Sequence, residues 1–278
     1  RSLDEETDAD ALVGLGKAQV GGGSYLQAVE ALSTLLTTHP DSEHAHEAQF
    51  LLGDAQLAAG NPISASRAYE SYLQAGTVIT PYVNASLGDA LRAAGVYTSA
   101  RQAYATAIDE APSRSFEADV RERTALAYVA QGQFADAVDQ YDAILAFAQN
   151  PEYRAEIAYR AAETLLLAGD TEAAYARYAR VVEGYPTEEH AYLSLVRLVK
   201  AGRPVDDFLR GVVDYHGEAY GPAVQALYRT ILAFPETHSG DAHWYAGLSF
   251  IETGSLDLAA NEFELLIETH PESERRGE

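Results

Sequence analysis

One spacing governs what this chain can become. Small residues at Ala28, Ala65, Ala100, Ala137, Ala174, Ala223 and Ala259 recur at intervals of 37, 35, 37, 37, 49 and 36. Four positions after each stands a large one: Leu32, Tyr69, Tyr104, Tyr141, Tyr178, Leu227 and Phe263. A second series of small residues precedes them, at Gly16, Gly53, Gly88, Ala125, Ala162, Gly211 and Gly247. Prolines close most units, at Pro40, Pro112, Pro186, Pro235 and Pro271, with Pro151 displaced in one. Units of this length pack on their neighbours, and the core is then a continuous ribbon.

The stretch 81–112, PYVNASLGDALRAAGVYTSARQAYATAIDEAP, shows the unit most plainly. An apolar, Ala-rich run holding Leu87 and Gly88 reads as one helix, and Gly95 ends it. A second run opens at Tyr97, and spacings of four and three put Ala100, Tyr104 and Ala107 on one helical face. Gly88 and Ala100 lie where two antiparallel helices must come close, and Tyr104 fills the space beside them. A helix–turn–helix unit of about 34 residues built this way resembles the tetratricopeptide (TPR) repeat. The resemblance implies an all-α fold, a right-handed TPR-type superhelix, or α-solenoid, of antiparallel helix pairs.

Hydrophobic content of 47% with 22% charged residues excludes wholesale disorder. Nineteen basic residues against 42 acidic ones leave a formal charge of −23. Such a surface repels phosphate backbones and anionic lipid, which argues against nucleic acid and simple membrane adsorption. No apolar run reaches the roughly 20 residues of a membrane-spanning helix. There are no cysteines, so disulfides, thiolate chemistry and zinc–thiolate sites are excluded. There is no methionine, even at residue 1. The abrupt start RSLDEETDAD and the ending PESERRGE read as the limits of a segment of a longer protein, with any signal sequence outside it.

Taken in order, residues 1–8 read as a frayed acidic lead-in, followed by helices at about 9–21 and 25–37 joined at Gly22-Gly23. Units two to five occupy about 43–76, 81–112, 115–149 and 152–186. Each has a glycine at its inner turn (Gly60, Gly95, Gly132, Gly169), where a positive φ ends a helix cheaply. The 49-residue interval breaks the rhythm. EEHAYLSLVRLVKA, 188–201, reads as a helix whose partner is missing and which could act as a bend, because Gly202-Arg203-Pro204 interrupts. Unit six follows with one extra residue in its inner turn, and unit seven, 241–271, carries Trp244, the single tryptophan. The organisation is units one to five in 1–187, an unpaired helix and break in 188–203, and units six and seven in 204–278.

Short motifs yield little chemistry. GLGK at 14–17 lacks the Ser or Thr that a phosphate loop needs after Lys17. His44 and His46 in EHAHE are two apart, so a helix points them away from each other. His238 and His243 flank a loop without a third ligand. Asn84-Ala85-Ser86 matches a glycosylation sequon but lies mid-helix. No hydrolase, metalloprotease, dinucleotide or EF-hand motif is present, so catalytic, cofactor and metal residues are all expected to be none.

What remains is a surface. In TPR proteins the first helices of the repeats line the concave face, and here their residues not spent on packing include Phe50, Asp54, Tyr82, Asp89, Arg92, Glu122, Tyr159, Glu163, Tyr215, Trp244 and Leu248. Aromatics alternating with carboxylates suit a peptide or glycan lining. Equally, the tyrosines could pack between repeats while the acids keep the face solvated. The carboxylate clamp of chaperone-type TPRs is absent, since its positions hold Val13, Lys17, Asp54, Tyr82 and Ser86.

The C-terminal third, FLRGVVDYHGEAYGPAVQALYRTILAFP and DAHWYAGLSFIETGSLDLAANEFELLIETHPES, resembles the superhelical region preceding the catalytic domain of bacterial soluble lytic transglycosylases. Those enzymes cleave peptidoglycan with the glutamate of a Glu-Ser dipeptide. Glu70-Ser71 is such a dipeptide, but it lies on the repeat helix ASRAYESYLQAG and no Gly-Leu-Met-Gln-like segment follows it. This resemblance implies a non-catalytic helical module that holds glycan or protein partners in the cell envelope, exported to the periplasm, with an enzyme domain beyond Glu278. Units one and two are similar to envelope TPR lipoproteins that scaffold protein assemblies, which implies a basic or amphipathic peptide as partner. A cytoplasmic TPR adaptor is the third reading.

Overall fold

A computed structural model describes residues 3–277, and among them the secondary structure is all α: fifteen α-helices and a closing 3-10 turn, with no strand. The chain divides into two compact units, Arg1–Gln140 and Tyr141–Glu278. In the first, α1 (Leu3–Gly21) pairs with α2 (Tyr25–Thr38), α3 (Ala45–Ala58) with α4 (Pro62–Gln74), and α5 (Thr80–Ala93) with α6 (Tyr97–Asp109). Helix α7 (Arg114–Ala130) and the start of α8 (Phe134–Leu145) follow. Each second helix also packs on the next first helix, α2 on α3, α4 on α5 and α6 on α7. In the second unit α9 (Pro151–Leu167) pairs with α10 (Thr171–Gly184), α12 (Asp207–His216) with α13 (Tyr220–Ala233), and α14 (Asp241–Glu252) with α15 (Leu256–Thr269). Helix α11 (Glu189–Lys200) stands between the first two of these pairs.

The small and large series meet in a specific way. A Cβ built on Gly88 would stand 2.4 Å from the ring of Tyr104, and one on Gly53 2.6 Å from Tyr69. The same holds for Gly16 under Leu32, Gly211 under Leu227 and Gly247 under Phe263, at 2.5, 2.4 and 2.7 Å. The glycine of the first helix is thus the seat of the large residue of the second, sixteen positions later, rather than chiefly the neighbour of the alanine. Tyr69, Tyr104, Leu32 and Leu227 are fully buried in those seats. Only a glycine lets the side chain reach so close to the opposing helix axis, which sets the packing distance of the pair.

Local reading and structure differ at four places. Residues 3–8 belong to α1 rather than to a frayed lead-in, Glu6 and Asp8 lying near the positive end of its dipole; residues 1 and 2 of that stretch lie outside the described residues. Pro151 does not close a unit but opens α9 at its first turn, behind Asn150, whose side chain accepts the Tyr153 N–H at 2.9 Å. The inner turn of unit six has no extra residue: α12 and α13 are joined by three residues, as α5 and α6 are. Its glycine is one place early instead. Gly217, at φ −83°, faces Tyr192, whose ring would be 2.3 Å from any Cβ there. The positive φ that Gly60 and Gly95 supply elsewhere, 82° and 76°, therefore falls on Glu218 at 60°.

The fourth place is α11, which is built into the core. Ala191, Leu195 and Leu198 are buried with Tyr178, Val181 and Val213, and the helix touches α9, α10 and α12. Arg197 bonds a carboxylate 34 residues earlier, the separation that links Arg123 to Asp89. By that register α11 takes the place of a first helix. Val199, two residues after Arg197, is 39% exposed, whereas Ala125, two after Arg123, is fully buried. The missing second helix shows as that uncovered valine.

Two substitutions check this packing. Gly88→Leu should cost about 1–3 kcal/mol by overpacking against Tyr104, read as a lowered melting temperature; an unchanged value would contradict the seat. Glu218→Gly should raise stability by about 0.5–1 kcal/mol, the left-handed cost relieved less the glycine's extra freedom when unfolded.

Candidate functional site

The carboxylates of the first helices are positioned by tyrosines. In three units the large second-helix residue is Tyr and the residue after the first-helix small one is acidic. Tyr69 donates its hydroxyl to Asp54 at 2.6 Å, Tyr104 to Asp89 at 2.7 Å, and Tyr178 to Glu163, always across fifteen residues. Where the large residue has no hydroxyl, at Leu32, Leu227 and Phe263, the corresponding positions hold Lys17, Val212 and Leu248. A phenol carried into a helix interface needs an acceptor there, and these acids are that acceptor.

Two of the acids are held at both oxygens. Asp89 Oδ2 accepts from Arg123, and Glu163 Oε2 accepts from Arg197 at 2.7 Å. Arg92 adds an ion pair to Asp89 at 3.8 Å and reaches the Tyr104 hydroxyl at 3.4 Å. Among the described residues no arginine joins Asp54. Burial raises its pKa, against the lowering effect of the Tyr69 bond. Burial also pushes the Tyr69, Tyr104 and Tyr178 phenols far up, reinforced by their acid partners, so they stay neutral donors. Burial works against the charge of Arg123, but Asp89 and Asp119 outweigh it.

The aromatic candidates lie elsewhere on the first helices. In the first unit Phe50 packs on Tyr69 and Tyr72, at ring distances of 5.9 and 5.4 Å. Tyr82, 49% exposed, meets Phe116 edge-on at 4.9 Å, joining α5 to α7. Glu122 is partly exposed on α7 beside Arg121 and Arg123. In the second unit Tyr159 lies 5.4 Å from His190, joining α9 to α11, and 5.6 Å from Tyr178. Tyr215 lies 5.3 Å from Tyr245, joining α12 to α14. Trp244 packs on Phe263 at 5.4 Å under Arg275, and lines a shallow apolar groove with Leu248, Ile251 and Ile267. Tyr82, Tyr159 and Tyr215 therefore form separate aromatic rungs between successive first helices, Phe50 and Trp244 pack within their own helix pairs, and Asp54, Asp89 and Glu163 are engaged by the tyrosines of their own pairs. The signal for that engagement was a tyrosine fifteen residues downstream of each acid.

The minor motifs resolve individually. Lys17 pairs with Glu47 at 2.8 Å. His44 bonds Asp10 at 2.6 Å, while His46 stacks on Tyr72 at 3.9 Å and is partly buried rather than exposed. Asn84 is buried, its side-chain amide donating to the Thr80 carbonyl at 3.0 Å, which leaves the sequon closed to modification in the folded chain. Glu70 and Ser71 are exposed on α4 between the buried Tyr69 and Tyr72. His238 and His243, which lacked a third histidine in the sequence reading, are joined by His270.

Comparison with known proteins agrees with this architecture. A family model described as tetratricopeptide repeat matches residues 13–78, 50–115 and 85–153, and a second of the same description matches 156–187 and 241–273. No curated protein matches the sequence. Among solved structures, the C-terminal part of a TPR repeat-containing protein from Cytophaga hutchinsonii is similar with a TM-score of 0.54 at 13% identity, over 94% of this chain and 96% of that one. A tetratricopeptide repeat protein from Parabacteroides merdae gives 0.50 at 16% identity, over 97% and 96%. MamA protein gives 0.53 at 16% identity, over 71% and 97%. At these identities the likeness is one of fold.

The raised pKa of Asp54 has a definite sign. The folded state holds this proton more tightly than the unfolded chain, so the contribution to stability falls as pH rises from the unfolded value through the folded one. Asp54→Asn keeps an acceptor for Tyr69 and removes the charge. Its melting temperature relative to wild type should be equal or higher at pH 7, with any gain shrinking toward zero by pH 4. A deficit at pH 7 that closes on acidification would contradict this.

Proposed function

Because the chain belongs to the tetratricopeptide repeat family, we propose that it is a non-catalytic scaffold that binds a segment of another protein across its first helices. The observation that carries this reading is the set of partly exposed aromatic rungs, of which Tyr82 against Phe116 is the most open. Rings fixed by a neighbour offer apolar contact area at little cost in side-chain entropy, which suits the recognition of a peptide or helix. The charge of −23 favours a basic or neutral partner, because like charge slows and weakens approach. Since Tyr–carboxylate and Arg–carboxylate bonds occupy Asp54, Asp89 and Glu163, attraction would come from the field of the whole surface and specificity from the rings.

Two finer readings stand beside this one. Holding peptidoglycan glycan next to a downstream transglycosylase domain, in an exported envelope protein, rests on the likeness of 208–235 and 241–273 to the helical region of those enzymes. Scaffolding of envelope assemblies rests on the likeness of units one and two. The family model over 241–273 is that of the general repeat, so binding of a protein segment is the reading that needs least beyond the family.

Titration with a library of basic amphipathic peptides tests it. Binding should weaken markedly from low to physiological salt, where the screening length is about 8 Å. Tyr82→Ala should lower affinity about five-fold or more, with folding verified by an unchanged helical spectrum, and Asp54→Asn should leave affinity unchanged. Binding of glycan fragments instead, insensitive to salt and lost on Tyr215→Ala or Trp244→Ala, would favour the envelope-enzyme reading.

A further inference from the structure

His238, His243 and His270 come from three segments: the loop after α13, the first turn of α14 and the C-terminal cap of α15. Their rings converge. His238 Nε2 lies 3.2 Å from His243 Nε2 and 3.0 Å from His270 Nε2, and one nitrogen of each ring lies within 4.8 Å of the others. The far sides of two rings are already engaged. His238 Nδ1 is 2.8 Å from the Phe234 carbonyl, which can only accept, so that nitrogen carries the hydrogen. His243 Nδ1 lies 2.8 Å from Glu262 Oε2, and the other oxygen of Glu262 accepts the Tyr228 hydroxyl at 2.6 Å. His243 and Glu262 are 5% and 3% exposed, so this contact is made away from water.

In neutral rings those bonds leave a lone pair on each facing Nε2. Neutral imidazoles that present lone pairs to each other at 3.2 Å repel, and a single hydrogen on His270 Nε2 answers only its own contact with His238. A cation at the meeting point removes the conflict. Two bonds of about 2.0–2.1 Å to one ion hold their nitrogens about 2.9–3.4 Å apart for angles between about 90° and tetrahedral, a range that brackets both measured separations. The carboxylate behind His243 and the carbonyl behind His238 are the kind of outer partners that fix the tautomer and orientation of metal-binding histidines. A chain of net charge −23 also concentrates cations at its surface.

We propose that His238, His243 and His270 bind a divalent transition-metal ion of the zinc class, for which neutral imidazole is a suitable ligand. His238 and His270 line a surface cleft with Ser239, Asp241, Glu272 and Ser273, through which the ion would reach the site. The ion clips the loop between α13 and α14 to the end of α15.

The test uses the whole chain freed of metal by chelator and dialysis. Titration with Zn2+ against a chromophoric competitor should show one tight equivalent, and Co2+ should give a visible absorption band of low-coordinate type. Thermal melting should rise on adding Zn2+. His238→Ala and His270→Ala, each verified by helical content, should weaken binding about 100-fold or more, and Glu262→Gln about 10–100-fold. His44→Ala, at the separate exposed cluster with Asp10 and Glu43, should leave it unchanged. No tight equivalent, or binding indifferent to His238→Ala and His270→Ala, would overturn the proposal. So would a nuclear magnetic resonance spectrum showing a shared proton between His238 and His243 that persists with excess Zn2+.

Discussion

A large side chain seated on a small residue sixteen positions earlier, a glycine in five of seven units, is the contact from which the rest of the structure follows. It brings the two helices of a unit close and fixes their register, because the opposing helix offers no Cβ at that point in five units and only the methyl of Ala125 or Ala162 in the other two. At Tyr69, Tyr104 and Tyr178 the same seat carries a hydroxyl into the interface, and the first helix answers with an acid at the next position, whereas Leu126 holds that position in the unit of Tyr141. For Asp89 and Glu163 an arginine from the following first helix donates to the second oxygen. One steric fit within a unit thereby leads to polar links between units, and the buried polar groups satisfy one another.

The fold was legible because the periodic contacts lie within one unit and recur. The small-to-large spacing alone places the helix pairs and the inner turns, and glycines at those turns carry the positive φ expected of them. The roles of the acids were less legible. Asp54 reads as a ligand contact on its own helix, and its tyrosine belongs to the next helix, so the bond appears only when the two are aligned at fifteen residues. Partners one full period apart are hidden in the same way: Asp89 with Arg123, Glu163 with Arg197, Tyr228 with Glu262, and His238 with His270. A repeat fold sets such residues side by side on corresponding elements of neighbouring units, while a reading confined to one unit at a time misses them. Glu218 shows the opposite limit, a position where the demand of Tyr192 for Gly217 overrides the usual turn chemistry.

This division of labour bears on binding. Residues that an isolated helix would offer to a partner are, in three units, consumed in holding the helix pair. The surface left for recognition is built of ring edges that bridge successive first helices, set in a strongly acidic field. Under the function proposed above, shape and aromatic contact would select the partner and charge would govern its approach.

The central claim is the dependence of the glycine-seated helix pairs on a side chain fitted to a vacant Cβ. A double-mutant cycle of Gly88→Leu with Tyr104→Ala measures it most directly, by denaturant unfolding of the four proteins. The leucine then enters the space that the tyrosine vacates, so the double variant should be more stable than the sum of the single losses, with a coupling of about 0.5–3 kcal/mol. Additive losses would show that residues 88 and 104 do not share one packing site, and would contradict the account.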